Sequence, residues 1–292
     1  MPELSPQVAI IGDLHSGWNE FDVRYFNQSR YEVLLFTGDL GGGTTQDGLR
    51  IARSIASLER AALVMLGNND VRQYAAITAE LTYQRGLSGL LSADEGGLVE
   101  VTTRTCGFSS HVLSLADLDV TLIAGRPFAM GGSEFSFPDA LRQSYEVGSL
   151  DESRERLRGL VDSISTEHVV FLSHNGPTGL GAERTDTWGR DFGGMSGDWG
   201  DRDLADAVAY ARERGRRPLA VIAGHMHWSA KCPRKWCVSR DDTLYVNAAR
   251  VPRTSLVSGQ RKHMHLAMTL SSESARVEEM WIPVESDVRP AS

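Results

Sequence analysis

Five short apolar runs recur along the chain, and each stops in the same way, on Gly or Ser followed by Asp, Asn or His. They are VAIIGD (8–13), VLLFTGD (33–39), LVMLGNND (63–70), VVFLSHNGP (169–177) and LAVIAGH (219–225). Continuous apolar runs of this length, bounded by Gly, have the pattern of buried strands. The sequence between them predicts helices over Asn19 to Gln28, Gln46 to Ala61, Leu150 to Ile164 and Asp203 to Arg214. Ser149 and Glu152 have capping-box spacing at the start of the third, and Gly215 closes the fourth. Strands that alternate with helices constrain the chain to an α/β fold with largely parallel pairing. After Ala223 the rhythm changes, and Thr243 to Asn247, His265 to Leu270 and Val277 to Ile282 read as strands that close a sheet without intervening helices. No repeat, low-complexity tract or Pro/Ser-rich linker divides the 292 residues. One domain is therefore expected over 1–283, with a loose tail at 284–292.

Ligands of open α/β sheets bind where the strands end at their carboxyl side, so the residues at those ends carry the functional information. Here they are Asp13 with His15, Asp39, Asn68 with Asp70 nearby, His174, and His225 with His227. Asp or Asn after Gly is ordinary turn chemistry, and at any single strand end that reading suffices. It fails for the five together, because turn chemistry does not load the same ends with four of the chain's eight histidines. A mixed carboxylate and imidazole set suits manganese, iron or zinc, whereas an all-oxygen set would suit magnesium or calcium.

The blocks Asp13-Leu14-His15, Gly38-Asp39, Gly67-Asn68-Asn69-Asp70, Ser173-His174 and Gly224-His225-Met226-His227 stand in the order D-x-H, G-D, G-N-H-[DE], H, G-H-x-H. In this the chain resembles the calcineurin-like metallophosphoesterase superfamily over residues 8 to 228. The strings GRPFAMGG (125–132), SHNGPTGLG (173–181), GHMHW (224–228) and YVNAARVPR (245–253) are similar to a smaller cyanobacterial and plant branch. The resemblance implies a four-layer α/β/β/α sandwich with a dinuclear metal site at the strand C-terminal ends. It implies that Asp13, His15 and His227 hold one metal, that Asn68, His174 and His225 hold the other, and that Asp39 bridges them. Two divalent or trivalent ions (Mn2+, Fe2+/Fe3+ or Zn2+) would then clamp a phosphate and activate a water for attack on phosphorus.

One position departs from the pattern, because Asn69 stands where most members have His. An amide cannot supply a proton at neutral pH, and general acids contribute about 10²–10⁴-fold, most for poor leaving groups. Phosphodiesters or esters with good leaving groups are therefore expected ahead of phosphomonoesters or phosphoproteins. The alternative from another class is a metal-binding protein with little turnover. Asp70 is expected to orient neighbouring groups rather than to contact metal. His111, in a stretch read as irregular, is the first candidate for a replacement acid. The remaining histidines, His168, His263 and His265, read as core or surface residues.

The net charge of −8 hides an asymmetry: Arg212 to His263 holds 12 basic and 3 acidic residues. Within that window Arg250 and Arg253 are expected to bind substrate, since guanidinium forks match phosphate oxygens. Most of the other basic residues there read as a solvated face. An acidic protein without a DNA-binding motif is not expected to use nucleic acid as a scaffold partner. The expected partner is a phosphorylated small molecule or a nucleotide. Trp228 and Trp236 read as core or anchoring residues, or as stacking surfaces for a ring. Thr185 to Asp203 packs five glycines, two tryptophans and five aspartates into one segment, which reads equally as a substrate wall or as an anchored surface loop. Three cysteines are too few for a disulfide framework, no run is long enough to span a membrane, and the first residues lack a signal-peptide pattern, so a cytoplasmic protein is expected.

Overall fold

The computed structural model describes residues 6–42, 44–83, 103–115 and 118–284. The expected architecture is present: two sheets packed face to face, with helices on their outer faces. In the first, β1 (Val8–Ile11), β2 (Val33–Phe36), β3 (Ala61–Met65) and β4 (Thr103–Cys106) run parallel. β12 (Gln260–Leu270) lies antiparallel to β1 and pairs in turn with β11 (Thr254–Val257) and β13 (Ala275–Pro283). In the second, β6 (Leu118–Ala124), β7 (His168–Asn175), β8 (Arg217–Gly224) and β10 (Thr243–Asn247) run parallel. Antiparallel β5 (Ser109–Leu115) and β9 (Cys237–Arg240) close its edges.

The two-residue period of a strand explains why every side chain of the short apolar runs is buried. On β1, Val8 and Ile10 enter the core between the sheets and meet Val170 and Leu172 of β7 and Ile222 of β8. Ala9 and Ile11 point outward, into the layer filled by Phe26 of α1 (Glu20–Gln28) and Ile51 and Ile55 of α2 (Thr45–Ala56). On the far face, Val169 and Phe171 of β7 pack in the same way against Leu157 of α5 (Leu150–Ser163) and Leu204 of α6 (Arg202–Glu213). The five runs are thus divided, three in one sheet and two in the other, so that their ends meet across the sandwich.

Local signals hold at helix starts and fail at one helix end. Asn19 caps α1 through a full capping box with Asp22. Before α5 only half of the expected box forms: Ser149 accepts the Glu152 N–H, but the Glu152 carboxylate takes the Gly148 N–H instead. The second helix ends at Ala56 rather than Ala61, because Ala61 and Ala62 are drawn into β3 opposite Val33 and Leu34. The described residues add α3 (Tyr74–Tyr83), α4 (Pro138–Tyr145), β4, β5, β6, β9 and β11 to the predicted elements. His111 lies on β5, opposite Leu122, and not in an irregular stretch. The expected tail lies outside the described residues from 285 onward, and its first residue, Val284, is buried with its N–H bonded to the Arg261 carbonyl. Among the described residues no helix is long and apolar enough to cross a membrane.

Candidate metal centre

The turns that leave the strands are strained where the candidate ligands sit. Asp13, His15, Asp39 and His225 have φ of 31°, 40°, 51° and 69°, values that non-glycine residues adopt at a cost of about 1–3 kcal/mol each. Two glycines let these turns crowd together. A Cβ on Gly67 would stand 2.2 Å from Asp39 Oδ1, and one on Gly224 would stand 2.1 Å from Asp13 Oδ1. Hydrogen bonds fix both carboxylates. Asp13 accepts from Thr37 Oγ1 (3.1 Å) and from the His225 N–H (2.9 Å), and Asp39 accepts from the backbone and side-chain amides of Asn69 (2.9 and 2.8 Å). Asp70, buried, takes the N–H groups of Leu40 and Gly67 and so ties the β2 turn to the β3 turn.

The result brings the expected residues to one place. Ligand atoms of Asp13, His15, Asp39 and His227 lie within 4.8 Å of one another. His15 Nε2 and His227 Nε2 are 3.0 Å apart, and His227 Nε2 is 3.4 Å from Asp13 Oδ2. On the other side of Asp39, His174 Nε2 is 2.9 Å from Asn68 Oδ1, and the rings of His174 and His225 meet at 5.1 Å between centroids. Donors held about 2.1 Å from a common ion lie roughly 3.0–3.4 Å from one another, and these separations match that spacing.

Proton bookkeeping at His174 points the same way. Its Nδ1 lies 2.6 Å from the Thr37 carbonyl, which can only accept, so Nδ1 carries the proton. In the neutral ring Nε2 is then an acceptor, and it faces the acceptor oxygens of Asn68 at 2.9 Å and Asp39 at 3.6 Å. Acceptors converging in this way are satisfied by positive charge, supplied by a proton on Nε2 or by a cation held between them. The residues present therefore fit a metal pair.

The electrostatics agree. Burial opposes charge on Asp13, but the His227 hydrogen bond and the fields of His174, His227 and His15 outweigh it and hold the carboxyl at about 2. Burial also disfavours protonated His174, yet Asp39 and Asp13 overcome it and raise the pKa. His225 is depressed to about 3, by burial first and then by His174, so it is neutral and free to ligate. Burial and then the charge of Asp39 push Asp70 up to about 7.

The two arginines expected to bind substrate do not present their forks to this cluster. Arg253 is buried and engaged through each of its three nitrogens, donating to the Met264 and Gly17 carbonyls and pairing with Asp22 at 3.1 Å, so a substrate-binding role is corrected to a structural one. Arg250 spreads its guanidinium over the rings of Trp228 (5.1 Å) and Trp281 (4.8 Å). Much of the basic window pairs locally while staying exposed, as Arg214, Arg217, Lys235 and Arg240 do. Arg234 is buried, not solvated, and it donates to the Asp186 and Gly189 carbonyls and pairs with Asp191. Trp228 and Trp236 stack on each other, with the Trp228 indole N–H on the Asn247 carbonyl, as anchoring residues do. In the 185–203 segment Trp188 is an anchor, fully buried against Gly176 and bonded to the Gly224 carbonyl. Arg126 clasps Asp201 and Asp203 and pins the end of the segment.

Known proteins place this arrangement. The model of the calcineurin-like phosphoesterases matches residues 6–229.

The chain belongs to the calcineurin-like phosphoesterase family.

No curated protein matches it significantly. Among solved structures it is similar to a sulfate thiohydrolase, SoxB, from Thermus thermophilus, at 13% identity and a TM-score of 0.44, covering 86% of this chain and 38% of that one. It is also similar to Vacuolar Protein Sorting 29 from Cryptosporidium parvum, at 9% identity and a TM-score of 0.31, covering 97% and 100%. The chain thus spans well under half the length of the first of these.

Sequence reasoning assigned no role to three residues at the site. Thr37 sits inside an apolar run; its hydroxyl donates to Asp13, and its carbonyl, which sets the His174 tautomer, acts through the backbone and leaves no side-chain signal. The apolar residues Met130 and Phe192, which line a cavity beside His225 and His227, come together only through folding.

Proposed function

We propose that this family member is a two-metal phosphoesterase that favours phosphodiesters. In this reading Asp13, His15 and His227 hold one ion, Asn68, His174 and His225 the other, and Asp39 spans both. The carrying observation is how Asp39 is shared: its Oδ2 lies 3.6 Å from His15 Nε2 and its Oδ1 lies 3.6 Å from His174 Nε2. One carboxylate thus addresses each half of the cluster with a different oxygen. When bound, such ions supply Lewis-acid polarisation of a phosphoryl oxygen and make water easier to ionise. Manganese, iron and zinc all suit the mixed donor set.

The chain's own residues do the positioning. Asn69 holds the Asp39 carboxylate through two hydrogen bonds, and Asp70 locks the turns that carry Asp39 and Asn68. Asn69 has no titratable proton to give a leaving group, which supports esters whose leaving groups depart without protonation. The substrate class is a phosphorylated small molecule or nucleotide. Within the family, the strings at 125–132, 173–181, 224–228 and 245–253 support the cyanobacterial and plant branch. Asn69 also favours a second reading, a protein that binds metal with little turnover.

The test is hydrolysis of bis(p-nitrophenyl) phosphate beside p-nitrophenyl phosphate by manganese-loaded protein, before and after a chelator, with Asp39→Ala as the blank. Chelator-sensitive turnover that is faster on the diester is expected. Absent turnover with two metals still bound per chain would establish the second reading.

A further inference from the structure

A cavity of about 500 Å³ opens beside the metal centre, with His225 and His227 in its wall. The rest of that wall is dominated by Met130, Phe192, Trp199, Met226, Trp228 and Val251. We propose that this cavity receives the ester group of the substrate and that the group is an uncharged aromatic ring. The inference rests on the phosphoesterase reading and adds the substrate class to it.

Three observations carry it. First, five large hydrophobic side chains are exposed among the described residues, and three of them, Met130 (39%), Phe192 (44%) and Met195 (55%), belong to this rim or to the loop that forms it. Apolar surface gathered around a concave site, rather than scattered, marks a ligand site. Second, the residues that line the wall include no Lys or Arg to pair with a second phosphate. Asp191, its one carboxylate, already neutralises Arg234 at 2.8 Å, and Arg190 lies over the rings of Phe192 and Trp199 at 4.9 and 4.6 Å. A polyphosphate or an extended nucleic-acid strand would therefore meet mainly aromatic and thioether surface along this wall. Third, the chemistry of the wall suits a ring better than an alkyl chain. Phe192 and Trp199 meet edge to face at 87°, and the thioethers of Met130 and Met226 are soft partners for aromatic edges.

Phosphonates test this without turnover, because their P–C bond is not hydrolysed. Calorimetry on manganese-loaded protein compares phenylphosphonate with methylphosphonate, which share the metal-binding head and differ in the ring. The expected result is at least about tenfold tighter binding of phenylphosphonate, reduced below threefold in Phe192→Ser and unchanged in Leu256→Ser, an exposed residue on β11 outside the cavity wall. Equal affinities in the parent protein, no binding of either ligand, or a preference that survives Phe192→Ser overturns the proposal. The methylenephosphonate analogue of adenosine 5′-monophosphate is the third arm. Affinity at or above that of phenylphosphonate assigns the ring to a nucleobase, and weaker affinity assigns it to a simple aryl ester. Hydrolysis of the nitrophenyl diester is measured on the same preparation. Ring preference without turnover defeats the catalytic reading and leaves the aromatic subsite standing, whereas turnover without ring preference does the reverse.

Discussion

The side-chain amide of Asn69 donates to Asp39 Oδ2 at 2.8 Å, while its backbone N–H donates to Oδ1 of the same carboxylate at 2.9 Å. The residue at the family's usual histidine position is thus turned toward the Asp39 carboxylate. Its own oxygen accepts the Asn68 amide at 3.3 Å, which leaves the Asn68 oxygen facing His174. Asn69 therefore orients two candidate ligands at once. Asn69→Ala should lower kcat about 10–100-fold, the range for removal of a ligand's hydrogen-bond partner. The loss should be equal on diesters with good and poor leaving groups. Steady-state kinetics on a leaving-group series check this, and a loss that grows with leaving-group pKa would make Asn69 a participant in proton transfer instead.

The seven candidate ligands were legible in the sequence because strand ends are local features: an apolar run, a glycine, then a metal-capable side chain. Their grouping was only partly legible. The runs do not reveal that three belong to one sheet and two to the other, since that depends on pairing between segments far apart in sequence. Arg253 misled for a related reason. It follows a segment that returns to the rim, but Asp22, 231 residues away, claims its guanidinium in the interior. Backbone roles, such as the Thr37 carbonyl under His174, leave no mark in side-chain identity at all.

Gly67 gives a second prediction. A methyl group there would overlap Asp39 Oδ1 at 2.2 Å and the His174 ring carbon Cε1 at 2.7 Å. Both belong to the centre, so relief of the overlap must displace one of them. Gly67→Ala should cost about 1–3 kcal/mol of stability, the usual penalty of overpacking, and lower metal affinity by at least tenfold. Thermal unfolding in chelator isolates the first effect and metal titration by calorimetry the second. Unaltered metal affinity would mean that the turns are looser than drawn.

Arg253 is predicted to act on stability and not on substrate. Its partner Asp22 is fully buried, and although burial opposes its ionisation, the Arg253 charge and the His263 hydrogen bond hold its pKa below the ordinary value. Removal of one member of a buried ion pair strands the other, at a cost of about 3–5 kcal/mol, softened here because His263 still faces Asp22 at 2.8 Å. Arg253→Ala should therefore lower the denaturation midpoint by an amount equivalent to about 3 kcal/mol, with KM changed less than twofold in the protein that remains folded. A large rise in KM with unchanged stability would return Arg253 to the substrate site.

His265 predicts a pH dependence that has no metal in it. The ring is buried among Tyr25, Phe26 and Tyr31, and its Nε2 lies 2.8 Å from the Tyr31 hydroxyl. Its Nδ1 is buried without a hydrogen-bond partner, so protonation would add a second unsolvated N–H. Burial, followed by the nearby Arg253 charge, depresses the pKa from 6.5 to about 3. The unfolded chain therefore binds one more proton than the folded chain between those two values, and stability falls as pH drops below about 6.5. Linkage sets the slope from this one group at up to about 1.4 kcal/mol per pH unit. Denaturant unfolding in chelator at pH 7.5, 6.0 and 5.0 measures it, with His265→Gln as the comparison. The variant should be less stable at pH 7.5 yet lose less stability on acidification, and parallel curves for the two proteins would show that His265 carries none of the acid sensitivity.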